Sequence, residues 1–231
     1  MDLTLLPKLW EVNIDKHLYM KRFDIITIFT EVVTPYIKAS ILGRAQEDGK
    51  IQINTHNLRD WTEDKHKTVD DTPYGGGAGM VMKVEPFDKA VSAVKGTENT
   101  RVILTSASGK TFTQEDAKRL AEYDQLIFLC GRYEGVDHRV QDQIADEALS
   151  IGDYVLTGGE LAAMTMTDAV ARLVPGVIDE ESLARESHDE KGYKEHPQYT
   201  KPEEYNGWVV PPILLSGDHA KIEKWRQDNS L

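Results

Sequence analysis

Apolar and polar positions fall into alternating blocks along the chain, and the blocks change period in a regular way. Phe23-Asp24-Ile25-Ile26-Thr27-Ile28-Phe29 is rich in β-branched and aromatic residues and gives way to helical composition at Glu31. Ile51-Gln52-Ile53-Asn54 alternates as a short strand does. From Glu85 to Val94 the apolar residues Phe87, Ala90, Val91 and Val94 recur at helical spacing. Arg101 to Thr105 predicts another strand. Thr113 then reads as a helix N-cap, with Asp116 three residues on and Ala117, Leu120 and Ala121 behind it. Gln125 to Cys130 is a continuous apolar run of the kind buried on both faces of a sheet. Ala162, Met166, Ala169, Val170 and Leu173 form one helical stripe from Glu160 to Leu173, and Pro175-Gly176 stops it.

Strands alternating with helices predict an α/β fold on a largely parallel sheet. Residues 179–201 break the pattern: eleven of these 23 are charged and no apolar period survives, so they read as a mobile linker. A helix resumes near Asp218, with Ile222 and Trp225 on one face. Residues 1–19 read as an N-terminal extension, because Met20-Lys21-Arg22-Phe23 resembles a second start. The expected organisation is therefore an extension (1–19), a main domain (20–178), the linker (179–201) and a short helical C-terminal domain (202–231). No internal repeat is present.

Composition narrows the chemistry. The single cysteine, Cys130, excludes an internal disulfide framework and any CxxC zinc site. It ends an apolar run and reads as a buried packing residue, not a nucleophile. No apolar run approaches the roughly 18–20 residues that span a bilayer, and Met1-Asp2-Leu3 lacks the basic start of a secretory signal, so a cytoplasmic protein with no membrane partner is expected. A net charge of −12 argues against a protein that coats nucleic acid nonspecifically, though a local basic surface remains compatible with it.

Glycine-rich blocks stand at the ends of three predicted strands: Thr105-Ser106-Ala107-Ser108-Gly109, Gly131-Arg132-Tyr133-Glu134-Gly135, and Ile151 to Glu160. Ligands of α/β sheets bind at the carboxyl ends of the strands, and glycine there allows close approach of the backbone. One such block is ordinarily a tight turn, whereas three together point to a ligand site. No GxGxxG and no GxxxxGK[ST] is present, so dinucleotide and nucleoside triphosphate cradles are unsupported. Gly75-Gly76-Gly77-Ala78-Gly79 lacks the P-loop lysine. It reads either as a flap over a site or as a solvated hairpin tip.

Four motifs carry a resemblance: Val69-Asp70-Asp71-Thr72-Pro73-Tyr74-Gly75-Gly76-Gly77, Cys130 to Gly135, Ser150 to Glu160, and Leu214-Leu215-Ser216-Gly217-Asp218-His219-Ala220. In that order, from about Met20 to Arg226, they closely resemble the bacterial tRNA (guanine-N1)-methyltransferases of the knotted SPOUT superfamily. The resemblance implies a deep trefoil knot in the C-terminal half of the main domain and a short helical C-terminal appendage. It also implies a homodimer with active sites between subunits, and methylation of guanine at tRNA position 37. S-adenosylmethionine would contact Thr105 and Ser106, then Gly131, Tyr133 and Glu134. Ile151, Gly152, Asp153, Tyr154, Val155, Leu156, Gly158 and Gly159 would complete its site, largely through backbone groups.

Guanine N1 carries a proton at neutral pH, so the transfer needs a base, and a cation near O6 would stabilise the developing charge. The family places an aspartate in the linker, followed by serine. Glu186 occupies the matching position here, before Ser187 and His188, with Asp189 as a rival. Arg172 matches the family's arginine near the guanine oxygen, or else pairs with Asp168 one helical turn back. Asp70, Tyr74 and Ser187 are the expected substrate contacts. Glu134 and Asp153 are acidic residues beside the cofactor, suited to the sulfonium or to magnesium, which the family is described as requiring. Ala78 and Ala107 replace family prolines, as does Thr30. The chain stops at Leu231, where family members usually continue, leaving Lys221, Lys224 and Arg226 as the basic residues of the last helix. A knotted methyltransferase of another RNA and a non-catalytic module that binds adenosylmethionine or RNA are the competing readings. No Gly-x-Ser-x-Gly elbow or His-Glu-x-x-His pair supports a hydrolase.

Overall fold

The computed structural model describes residues 20–179 and 195–230. Their contacts divide into two compact units after Val177. The first holds a five-stranded sheet built from β1 (Lys21–Thr27), β2 (Ile51–Asn57), β5 (Thr100–Thr111), β6 (Gln125–Cys130) and β7 (Glu147–Ser150). The spatial order is β2-β1-β6-β5-β7, and every pairing is parallel. Parallel strands need long crossovers, which here are α1 (Thr30–Ile37) with α2 (Ser40–Glu47), α3 (Val84–Val94), α4 (Gln114–Ala121) and α5 (His138–Gln143), with α6 (Glu160–Ala171) following β7.

Period-2 alternation along the central strands sorts the core into two layers. Phe23 and Ile25 of β1, with Leu126, Phe128 and Cys130 of β6, pack beneath α1, α2, α4 and α6. Ile26 of β1 and Ile127 and Leu129 of β6 face the other way, against Phe87, Ala90 and Val91 of α3 and Val140 of α5. All six residues of β6 are buried, as its unbroken apolar run predicts for a strand covered on both faces. The predicted α/β class on a mostly parallel sheet is what the structure has.

Several boundaries differ from expectation for local reasons. β1 begins at Lys21 because Lys21 pairs Ile51, and it ends at Thr27, whose hydroxyl accepts the Phe29 amide at 3.0 Å and turns the chain into α1. The Thr113–Asp116 capping box is present in both directions. Lys21 closes the other end of α4, donating from Nζ to the carbonyls of Leu120 (2.8 Å) and Ala121 (3.2 Å) and to that of Tyr123. α6 is not a single stripe. Ala163, Met164 and Thr167 are buried along with Ala162, Met166 and Val170, so the helix is wrapped on more than one face. It ends at Ala171, before the Pro175-Gly176 stop.

β5 holds the feature that matters most for the site. Thr105 and Lys110 both pair with Leu149 of β7, so the four residues between them leave the ladder as a bulge. Gly109 permits this: a Cβ there would fall 2.6 Å from the Ala148 carbonyl carbon. A two-stranded ladder, β3 (Asp70–Asp71) against β4 (Val81–Met82), carries the glycine-rich segment 72–80 at its tip.

The second unit begins, among the described residues, with an irregular stretch. It continues through a hairpin of β8 (Glu204–Tyr205) and β9 (Trp208–Val209), a 3-10 turn (Pro212–Leu215) and α7 (His219–Asp228). Asn206 and Gly207 at the hairpin turn both have positive φ (52° and 81°), the tight two-residue connection that suits strand twist. The hairpin adds strand to a region expected to be helical. The expected helix is α7, N-capped by Asp218 through the Lys221 amide at 3.2 Å.

Candidate functional site

The carboxyl ends of β5, β6 and β7 converge on a cavity of about 420 Å³, within the size range of sites for small organic ligands. Its walls are the β5 bulge, the loop after β6 and the loop between β7 and α6. β6 lies between β1 and β5 while the next strand, β7, lies on the far side of β5. The chain thus reverses its direction of progress across the sheet at this place, which is where the crevice of an open α/β sheet forms.

Thr105 and Ser106 line the cavity from the bulge, and Gly131, Tyr133 and Glu134 from the second loop. Ile151, Tyr154, Val155, Leu156, Gly158 and Gly159 line it from the third. Gly152 and Asp153 do not. The 150–152 turn is closed on itself by Ser150, whose hydroxyl donates to the Gly152 carbonyl at 2.9 Å and accepts the Gly152 amide at 3.2 Å. Gly152 has φ +152° with the Tyr154 ring over it, and Asp153 is exposed.

The walls are in close contact at one point. The Gly159 amide donates to the Gly131 carbonyl at 3.0 Å, and the Thr105 hydroxyl donates to the Leu129 carbonyl at 3.0 Å. A Cβ on Gly159 would fall 1.9 Å from Thr105 Oγ1 and 3.0 Å from Cys130 Cα. Glycine is required there by space, since its φ of −81° is ordinary. Tyr133 adopts φ +61°, a conformation that non-glycine residues seldom take and that clusters at ligand sites. The flap is tied to the same loop. The Glu134 amide donates to the Met80 carbonyl (3.0 Å), and the Met82 amide to the Gly135 carbonyl (3.0 Å).

Cys130 is fully buried among apolar neighbours, and burial, reinforced by the charge of Glu160, pushes its thiol well above the ordinary range. It packs and does not attack, as its place in the sequence predicts. Asp70 is half-buried in β3 and Tyr74 is fully exposed on the flap; neither lines the cavity. Arg172 is the C-cap residue of α6, its amide donating to the Asp168 carbonyl at 3.1 Å, while the Asp168 carboxylate accepts the Tyr36 hydroxyl. Glu160 at the other end of this helix lies beside the cavity. Twelve residues at 1.5 Å each put Arg172 about 18 Å along the axis. Glu186, Ser187 and Asp189 lie outside the described residues.

Sequence reasoning missed several contributors. His138 and Gln141 of α5 also line the cavity, as does Val136. Arg132, also in the lining, forms an ion pair (2.9 Å) with Glu160, with Phe29 and Thr27 around the pair. Nothing in a chain separation of 28 residues signals that pairing.

The model of the family described as "tRNA (Guanine-1)-methyltransferase TrmD" matches residues 20–231. A tRNA (guanine-N(1)-)-methyltransferase of Thermomicrobium roseum is 57% identical over 212 residues, 91% of this chain and 79% of the relative. Its namesake in Dictyoglomus turgidum is 53% identical, covering 92% of this chain and 86% of the relative. That of Chloroflexus aggregans is 52% identical, covering 91% and 83%.

Proposed function

The chain belongs to the tRNA (guanine-1)-methyltransferase family, and we propose that its three-walled cavity holds S-adenosylmethionine beside a guanine at tRNA position 37. It is a tRNA methyltransferase, moving the methyl group of S-adenosylmethionine to N1 of guanine. The observation that carries the cofactor site is the convergence of the β5 bulge and the two glycine-bearing loops on one ligand-sized space at the carboxyl ends of parallel strands.

The residues present suit this ligand. Gly159 lets the third wall close against the backbone of Cys130 and Gly131, Gly158 makes room for the Arg132 side chain, and the loops offer peptide groups to an adenine edge. The exposed Tyr154 and Val155 supply apolar surface for the adenosyl group. When bound, adenosylmethionine supplies a methyl group already activated by the sulfonium, so the protein's task is alignment and proton removal. Glu186 takes the N1 proton, with Asp189 as the alternative, and Ser187 and the flap residues Asp70 and Tyr74 hold the tRNA. Arg172 faces guanine O6 and stabilises the charge that develops there.

The span of α6 bears on the assembly. Ala162, which lines the cavity, and Arg172 lie ten residues apart on one helix, about 15 Å along its axis. A second copy placing its Arg172 at the first copy's cavity would complete the site, which supports a homodimer with shared active sites. The insertion of β6 between β1 and β5, with the 151–159 loop drawn against Thr105 and Gly131, supports the trefoil knot of the SPOUT superfamily. Magnesium would meet a single carboxylate in this cavity. Among the described residues no three His, Cys, Asp or Glu side chains group to hold a metal, and Glu134 is the one carboxylate lining the cavity.

Residues 179–201 then act as the linker between the methyltransferase domain (20–178) and a tRNA-gripping region (202–231); residues 1–19, the expected extension, and 180–194 lie outside the described residues. Lys221, Lys224 and Arg226 of α7 supply the cations, although Lys221 already pairs with Asp218 (2.8 Å) and Arg226 with Glu223 (3.5 Å). Among the described residues no helix is long and apolar enough to cross a membrane, and a tRNA substrate is met in the cytoplasm. Product identity tests the reading. Digesting tRNA after reaction should yield 1-methylguanosine as the labelled nucleoside, and label on adenosine or on another guanine atom would overturn it.

A further inference from the structure

Arg132 belongs to the loop after β6, but its side chain leaves that loop. Nε and Nη2 reach the carboxylate of Glu160 at 3.1 and 2.9 Å. The guanidinium lies 4.6 Å from the centroid of the Phe29 ring, close enough for a cation–π contact. Nη1 donates to the Thr157 carbonyl at 3.3 Å. Glu160, only 1% exposed, also accepts the hydroxyl of buried Thr27 at 2.6 Å. One carboxylate therefore joins the end of β1, the second wall of the cavity and the first residue of α6.

Gly158 gives the guanidinium its passage: a Cβ there would fall 2.1 Å from Arg132 Nε. The third wall depends on this contact. Among the described residues, the bond from Nη1 to Thr157 is the one hydrogen bond holding the backbone between Val155 and Gly158, all of which lines the cavity. A buried ion pair seldom repays its desolvation in net stability, so its worth here has to be sought in geometry.

We propose that the Arg132–Glu160 pair, seated against Phe29 and Thr27, is a positioning device for the cofactor wall: it sets the backbone path of 155–158 and thereby the affinity for adenosylmethionine. Glu160 does not line the cavity, and Arg132, which does, has its guanidinium engaged by Glu160, Phe29 and the Thr157 carbonyl, so the pair acts through the wall. The inference rests on the assignment of adenosylmethionine to this cavity. The same clamp explains how Tyr133 keeps its unfavourable φ, since Arg132 holds one side of it and the Glu134–Met80 bond the other.

The full chain, Glu160→Gln and Arg132→Lys are compared by calorimetric titration with S-adenosylmethionine, by thermal melting and by steady-state kinetics with tRNA. Glu160→Gln keeps the shape but loses the charge, and Arg132→Lys keeps the charge but loses the two-pronged fork. Loss of a charge-assisted hydrogen bond predicts a Kd for adenosylmethionine weaker by about tenfold in Glu160→Gln, and by somewhat less in Arg132→Lys. KM for adenosylmethionine rises in parallel, KM for tRNA stays within about twofold, and kcat falls by less than that KM rises. Should Glu160→Gln fail to fold, Arg132→Lys, whose side chain is partly exposed, decides the matter. Wild-type affinity in a variant that melts like the wild type, or a loss confined to kcat, overturns the inference alone. A wild-type chain that binds no adenosylmethionine overturns the cavity assignment and this inference with it.

Discussion

Glu186→Gln lowers turnover by about two to four orders of magnitude while adenosylmethionine still binds, as expected when a general base is removed and the cofactor pocket is left alone. The expectation follows from guanine itself. N1 is protonated at neutral pH, and its lone pair becomes available to the methyl group only as the proton leaves. Glutamine matches glutamate in size and hydrogen-bonding reach but cannot accept that proton. Glutamate carries the same proton-accepting carboxylate as the aspartate that the resemblance implies at this position. Its extra methylene changes reach, which is why Asp189→Asn belongs in the same experiment. A fall of that size in Asp189→Asn with Glu186→Gln unaffected would transfer the role three residues along. Wild-type activity in both variants would leave the reaction without a carboxylate base in this segment.

Gly159→Ala abolishes measurable adenosylmethionine binding at concentrations that saturate the wild type, and it destabilises the fold by about 1–3 kcal/mol, the usual cost of overpacking. The added methyl has nowhere to go. It would lie 1.9 Å from Thr105 Oγ1 and 3.0 Å from Cys130 Cα, at the point where all three cavity walls meet. Relief would have to separate the third wall from the second and break the Gly159–Gly131 bond. Thr105→Ala removes the nearer obstacle and leaves the backbone one, so Gly159→Ala/Thr105→Ala recovers part of the binding. A Gly159→Ala protein that binds and melts like the wild type would show that the walls are looser than drawn. Calorimetric titration and thermal melting of the three variants read both effects.

How much of this was legible in the chain depends on whether the determinant is local. The run from Gln125 to Cys130 declares a doubly covered strand, because six consecutive buried positions leave no polar face. Thr113 and Asp116 declare a capped helix, since both halves of the capping box lie within three residues. β7 is different. Glu147-Ala148-Leu149-Ser150 is too short to alternate, and it becomes a strand only because β5 lies beside it. α1 carries Pro35 inside its pattern, which blurs the helical signal. The β5 bulge is likewise a tertiary event: the segment read as a strand ending at Thr105 resumes at Lys110 on the same partner residue.

The candidate site divides in the same way. Glycines mark where backbones can approach, and their blocks located the three walls. Which residues within a block face the cavity depends on the turn, so Gly152 and Asp153, inside the third block, face elsewhere. Arg132 and Glu160 meet only in three dimensions, and their pairing had no trace in spacing. Arg172, assigned through resemblance, sits at the helix end remote from the cavity, a placement set by how α6 packs and not by chain spacing.

One measurement bears most directly on the function. The protein is incubated with methyl-labelled adenosylmethionine and two tRNA transcripts that differ only at position 37, guanine in one and adenine in the other. Label should enter the guanine transcript and not its adenine counterpart. Equal incorporation into both would contradict the position-37 assignment, and no incorporation into either would favour a module that binds without catalysing.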